Sequence, residues 1–223
     1  MKIFRLKKDF EKFSLNIDSL DMSEQKIYGI IGPNGCGKTT AMKLMAGIMQ
    51  PDSGVVDSGG LTARDITMVF RKPYLMHESV LKNLLYPLKI RGITPDMQYI
   101  EHLLELSGLQ ALRDTYALTL SGGEQQKLAL MRAVVFSPKL VFIDEGFSNM
   151  DIESIAVFEE FILKMQAKSK LTWVITSHQL STIRRLCEHV IFMHAGEVKA
   201  QGNTEEILSS PQLPELKQYL QFV

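Results

Sequence analysis

The chain is poor in cysteine, balanced in charge and without a long apolar run. Its two cysteines, Cys36 and Cys187, stand far apart in 223 residues, too few and too scattered for a disulfide framework or a zinc site. Both read as reduced thiols. Lys plus Arg and Asp plus Glu each number 25, so no net field draws nucleic acid or an anionic membrane, and no nucleic-acid partner is expected. No apolar stretch approaches the roughly 20 residues that cross a bilayer, and the first residues lack the apolar core of a signal peptide. The expectation is a chain that stays in the cytosol. Internal repeats and low-complexity segments are also lacking. With 45% hydrophobic residues, this length supports one large domain or one domain with a subdomain.

Against these absences stands one dense motif, Gly32-Pro33-Asn34-Gly35-Cys36-Gly37-Lys38-Thr39-Thr40. It fits G-x-x-x-x-G-K-[ST]. The apolar run Ile27 to Ile31 precedes it, and Met42, Leu44, Met45 and Ile48 follow at helical spacing. That strand, loop, helix context separates a phosphate loop from a glycine-rich turn before an ordinary helix. The glycines let backbone N–H groups and the positive helix end face an anion. Lys38 brings a charge toward the β and γ phosphates, and Thr39 a hydroxyl for Mg²⁺. Cys36, near the helix start, is expected either to have a lowered thiol pKa and to be protected from alkylation by bound nucleotide, or to be merely a small loop residue.

In chain order, alternation through Phe13, Leu15 and Ile17 predicts short strands of a half-exposed sheet, and Ile27 to Ile31 a strand buried on both faces. Turn residues at Gln50-Pro51-Asp52-Ser53-Gly54 introduce a new strand pair, and Ile66 to Phe70 a further strand that stops before Pro73. From Tyr74 to Leu120 the pattern is helical, with apolar spacing before Pro87 and again before Gly108. Ser121-Gly122-Gly123-Glu124 opens another helix and, taken alone, is a capping box. Leu140 to Ile143 forms a buried-type strand that ends in Asp144 and Glu145; Trp173 to Ser177 forms another that ends at His178. In a parallel sheet these ends share one edge, where open α/β sheets bind ligands. A hairpin around His194 to Glu197 and short helices complete the chain.

Gly32 to Thr39, Leu120-Ser121-Gly122-Gly123-Glu124-Gln125, Asp144-Glu145, Ser148-Asn149-Met150-Asp151 and His178 resemble, in order and spacing, the ATP-binding cassette (ABC) ATPases. The resemblance covers essentially the whole chain. It implies an α/β fold: a P-loop NTPase core with a mostly parallel sheet, an N-terminal antiparallel β subdomain and an inserted helical subdomain. Residues 1–223 would form one ABC unit, with 1–73 and 137–223 as nucleotide-binding core and 74–136 as helical subdomain and signature helix. Two copies would sandwich two ATP molecules head to tail as a homodimer. Each ATP would touch one copy's phosphate loop and the other's Ser121, Gly122, Gly123 and Glu124. Within this scheme Thr39 and Asp144 serve Mg²⁺, the latter through water, Glu145 is the general base, and His178 bonds the γ-phosphate. Asp151 belongs to the inter-subunit loop, and Phe10 stacks on adenine while Phe13 faces the core. One position departs from the family. A glutamine that contacts Mg²⁺ normally follows the strand ending at Phe70, but Arg71 stands there. A guanidinium has no acceptor for a cation, so weakened Mg²⁺ dependence or altered coupling is expected.

The resemblance further implies the ATPase subunit of a membrane importer, held at the cytoplasmic face by two separate permease subunits, with an extracytoplasmic solute-binding protein. The segment after Pro73 lies where the family receives a permease helix. Lys72 to Leu75 and Tyr86 to Gly92 are similar to importers of tungstate, molybdate and related oxyanions. The alternative is a soluble ATP-switched clamp on nucleic acid or ribosomes. An exporter half, or an ATP binder without hydrolysis, stands further off, since Glu145 and His178 supply a base and its partner.

Overall fold

The alternating N-terminal segment folds into two antiparallel strands, β1 (Lys2–Phe10) and β2 (Phe13–Asp21), with Leu15 and Ile17 turned inward. The computed structural model describes residues 1–147, 150–169 and 171–222. Ser148 and Asn149 of the expected inter-subunit loop lie outside the described residues. The evenly apolar β3 (Ile27–Ile31) is buried at every position and leads into α1 (Lys38–Met45). Where a strand pair is expected, one strand follows, β4 (Ser53–Asp57), which pairs with β1. The next residues, from Ser58 to Asp65, are rich in turn formers and close local bonds instead, such as Thr62 N–H to Asp65 Oδ2 at 2.9 Å.

After β5 (Ile66–Val69) come three helices, α2 (Val80–Arg91), α3 (Met97–Ser107) and α4 (Gly122–Val134). Ser79 caps α2, Asp96 caps α3, and Gly92 and Gly108 end them in left-handed conformation. The helix α2 does not stop before Pro87 but runs through it to Arg91. Proline removes one helical hydrogen bond. Leu84 and Leu88, to either side, are fully buried in the same core cluster, and that packing holds the turn together.

The chain then alternates β6 (Leu140–Asp144), α5 (Ile152–Ser169), β7 (Thr172–Thr176), α6 (Leu180–Leu186), β8 (His189–His194) and β9 (Glu197–Asn203), and ends with α7 (Thr204–Ser209) and α8 (Pro214–Gln221). Among the described residues nine strands form one sheet in the order β4-β1-β2-β9-β8-β3-β7-β6-β5. Strands β3 and β5 to β8 are parallel neighbours, while β1, β2 and β4 are antiparallel and join the rest through Asn16 beside Glu197. One apolar cluster lies under the helices α2 to α6, and a second lies between α1 and the N-terminal strands. Consecutive βα units place the C-terminal ends of β3, β7, β6 and β5 along one edge of the sheet.

Candidate active site

The loop between β3 and α1 is shaped by its glycines. A side chain on Gly32 would lie 2.1 Å from the Met193 carbonyl oxygen, and one on Gly37 2.8 Å from the Phe13 ring, both at positive φ. Gly37 caps α1 without any side-chain bond, so the first N–H groups of the helix remain open to an anion. Lys38 is buried, and its ammonium donates to the Gly32 carbonyl at 2.7 Å and the Pro33 carbonyl at 3.0 Å. The loop is thus closed on its own lysine. Asn34 and Gly35 are exposed, and Thr39 and Thr40 are half-buried at the start of the helix.

Across the sheet edge, the Thr39 hydroxyl contacts both carboxylate oxygens of Asp144, at 3.0 and 2.9 Å. Thr176, at the end of β7, donates to Asp144 Oδ1 at 3.1 Å and accepts the Glu145 N–H at 2.8 Å. Its role has only a faint sign in the sequence: a hydroxyl at the end of an otherwise apolar strand. Glu145 has φ 51°, a left-handed backbone uncommon outside glycine. Its Oε1 lies 2.8 Å from His178 Nε2. The phosphate loop, Thr39, Asp144, Glu145 and His178 are therefore neighbours. A hydroxyl and a single carboxylate form the sparse hard-oxygen set that suits Mg²⁺ beside phosphate. Among the described residues no cluster of three or more His, Cys, Asp or Glu makes a protein-only metal cage.

Arg71 is turned to Glu145 and not to the Thr39–Asp144 pair. Its Nη1 lies 3.1 Å from Glu145 Oε2. The contact is an ion pair by distance but not an aligned hydrogen bond, since among the described residues Oε2 accepts none. Cys36 runs against expectation: its thiol pKa is raised, because burial outweighs the lowering by Lys38 and the helix N–H groups. Phe10 is 44% exposed and stacks on Phe13 with ring centroids 6.2 Å apart. Phe13 does not simply face inward. It packs on the second core cluster, and its ring edge lies against Gly37.

The remaining expected residues stand apart. Ser121 and Glu124 form a reciprocal capping box on α4, with the Ser121 N–H bonded to Glu124 Oε2 at 2.8 Å. Gly123, one residue after Gly122, faces Ser154 and Met150 across van der Waals distance. Asp151 accepts the Ser154 N–H at 2.7 Å, and this bonding holds its carboxyl below the usual range. Among the described residues no hydrogen bond of this group reaches the phosphate loop. What the sequence did not reveal is an open cavity of about 580 Å³ beside Gly32, Pro33, Asn34 and His178, lined also by His194 and by Glu215 and Tyr219 of α8. The Tyr219 hydroxyl is buried without a partner among the described residues, and burial raises its pKa.

The chain is similar to known proteins over most of its length. The tungstate uptake system ATP-binding protein TupC of Peptoclostridium acidaminophilum is 39% identical over 190 residues, covering 82% of this chain and 89% of that protein. The methionine import ATP-binding protein MetN of Staphylococcus saprophyticus is 33% identical over 223 residues, 92% of this chain. The Fe(3+) ions import ATP-binding protein FbpC of Pasteurella multocida is 33% identical over 207 residues, 87% of this chain. Of these two proteins the chain spans less than two thirds, 65% and 59% of their lengths. Among solved structures, cbiO1 from Clostridium perfringens, part of the ABC transporter complex cbiONQ, superposes with TM-score 0.81 at 22% identity over 99% of this chain and 98% of that one. An ATP-binding subunit of an ABC transporter superposes with TM-score 0.84 at 24% identity over the same shares. These two likenesses show the fold. A family model described as ABC transporter matches residues 15–148, from β2 through the phosphate loop and the Ser121 turn to beyond Glu145, and the chain belongs to the ATP-binding subunits of that family, which are P-loop ATPases.

Proposed function

We propose that this chain hydrolyses ATP to power a membrane importer of a small oxyanion, tungstate or molybdate. The observation that carries the chemistry is the pair of contacts at one sheet edge: Thr39 with Asp144, and beside it Glu145 with His178 at 2.8 Å. The open N-terminus of α1 and Lys38 bind the triphosphate. Thr39 and Asp144 would hold Mg²⁺, which would neutralise phosphate charge. Glu145 takes a proton from the attacking water as its oxygen bonds to the γ-phosphorus and ADP departs, and His178 orients the carboxylate.

Ser121 bonds within its own turn, to Glu124, and among the described residues no hydrogen bond joins it to the phosphate loop, which supports a head-to-tail homodimer in which Ser121 to Glu124 of one copy closes the other's site. Residues 1–73 and 137–223 serve as nucleotide core and 74–136 as helical subdomain. A groove lined by Phe70, Pro73, Tyr74, Tyr86, Ile90 and Arg132 receives a permease helix. Among the described residues no helix is long and apolar enough to cross a membrane; the reading pairs this chain with two separate permease subunits at the cytoplasmic face. The oxyanion rests on the similarity to TupC. TupC, MetN and FbpC are named as uptake or import ATP-binding proteins, and none of the relatives named above supports the soluble clamp.

Glu145→Gln tests the reading. Hydrolysis should fall by about 10²- to 10⁴-fold, the range of general-base catalysis, and ATP should hold the variant as a dimer on size-exclusion chromatography. Cells carrying it should lose tungstate or molybdate uptake. Unchanged uptake of both, with loss of methionine uptake, would reassign the cargo.

A further inference from the structure

Register aligns three side chains along the sheet edge. Val69 pairs with Ile143 and Asp144 with Thr176, so Arg71 stands abreast of Glu145 and His178 one step beyond it. The backbone carrying Arg71 is pinned on both sides by α4. Gln126 donates to the Phe70 carbonyl at 3.3 Å, and Arg132 Nη1 to the Tyr74 carbonyl at 2.7 Å. The Arg71 side chain itself is 63% exposed, while the Glu145 side chain is only 14% exposed. An exposed cation on a braced backbone thus meets an enclosed carboxylate. With His178 on Oε1 and Arg71 against Oε2, each oxygen of Glu145 already faces a partner. A base held in this way is poorly disposed to accept a proton from water.

An ion pair with so exposed a member is weak and readily exchanged. A triphosphate offers more charge than one carboxylate, and the planar guanidinium fork matches phosphate oxygens. Asp144, the residue before Glu145, already touches Thr39 of the phosphate loop. We propose that Arg71 is a positioning residue for Glu145: without nucleotide it pairs with the carboxylate, and the γ-phosphate of ATP withdraws the guanidinium and frees the base. This rests on the reading of Glu145 as the base. It replaces an effect on Mg²⁺ by one on the neighbouring carboxylate.

Equilibrium binding of a non-hydrolysable ATP analogue and of ADP to the full chain tests it. In Arg71→Gln, affinity for the analogue should fall by about three- to tenfold, the scale of one charge-assisted contact, while ADP affinity stays within error. Arg71→Lys should recover part of the loss. The Arg71 side-chain N–H signal in an arginine-labelled NMR spectrum, assigned by its loss in Arg71→Gln, should shift when nucleotide-free chain carries Glu145→Gln. It should also shift on adding the ATP analogue to wild type, and not on adding ADP. An equal loss for both nucleotides, no loss for either, or a signal indifferent to Glu145→Gln overturns the proposal. Hydrolysis at the wild-type rate by Glu145→Gln would instead overturn the base assignment, and the NMR response would still report the pairing.

Discussion

Replacing Thr176 with Val removes a hydroxyl and leaves the volume nearly unchanged, at a site with no solvent exposure. That hydroxyl accepts the Glu145 N–H at 2.8 Å and donates to Asp144 Oδ1 at 3.1 Å. Leaving the buried N–H without an acceptor costs about 1–3 kcal/mol, and the lost bond to a carboxylate adds a comparable amount, lessened because Asp144 keeps Thr39. The added methyl returns about 1 kcal/mol of burial, and valine is as good a strand residue as threonine. The net loss is about 2–3 kcal/mol. With a urea slope of about 2–3 kcal/mol/M for a chain of this size, the unfolding midpoint should fall by about 1 M. Function should suffer more than stability, since the same bond holds Glu145 in its left-handed conformation. A carboxylate displaced by about 1 Å lowers kcat by up to about 10²-fold, while KM for ATP stays within about threefold because Lys38 and α1 are untouched. Thr176→Ser is the control, with kcat retained and a loss of about 1 kcal/mol from the missing methyl. A midpoint shift below about 0.2 M in the valine variant, or equal kcat in the two variants, would refute this account.

Two further outcomes follow from titrating groups. Thr62, through its N–H and hydroxyl, and Lys139 lower the Asp65 pKa from 3.8 to about 2. A carboxylate depressed in the folded chain stabilises it above the unfolded pKa and loses that contribution as pH falls through the folded value. The melting-temperature advantage of wild type over Asp65→Asn should therefore be full at pH 6 and vanish toward pH 2; an advantage independent of pH would contradict the assignment. Cys36 and Cys187 are both buried with thiol pKa values raised by burial. In native buffer at pH 7.5 both should resist iodoacetamide while urea exposes two thiols to mass spectrometry, and rapid native labelling of Cys36 would show the loop to be open.

The local parts of the site were legible in the sequence. The phosphate loop, the buried strand before it and the capping box at Ser121 and Glu124 depend on residues close in the chain, and spacing alone specifies them. The apolar strands ending in Asp144 and at Thr176 were legible for the same reason. The reach of Arg71 to Glu145 was not, because it depends on which strands are neighbours and in what register. Thr176 escaped notice since a hydroxyl at the end of an apolar strand is only a faint sign, and its two partners lie on the neighbouring strand β6 and just beyond it. Cys36 was misjudged because the helix terminus is visible in sequence and the burial that overrides it is not. Spacing located α2 ahead of Pro87 but not its continuation to Arg91, which rests on the packing of Leu84 and Leu88. The cavity beside Gly32 draws on Tyr219, far along the chain.

The alignment of Arg71, Glu145 and His178 also bears on where this chain can change length. Their relative heights are fixed by hydrogen-bond register between adjacent strands, and the connections between those strands take no part in setting it. The helices α2 and α3 between β5 and α4 can thus change in length to suit a different permease while the chemistry stays in place, whereas α4 is held by its bonds to the Phe70 and Tyr74 carbonyls. A single residue inserted inside β5 or β6 would instead move one member of the row out of step with the others. Tolerance to insertion should therefore be high at the exposed α2–α3 turn, residues 92–95, and low inside β5, α4 and β6, a boundary that a scan of one-residue insertions would draw directly.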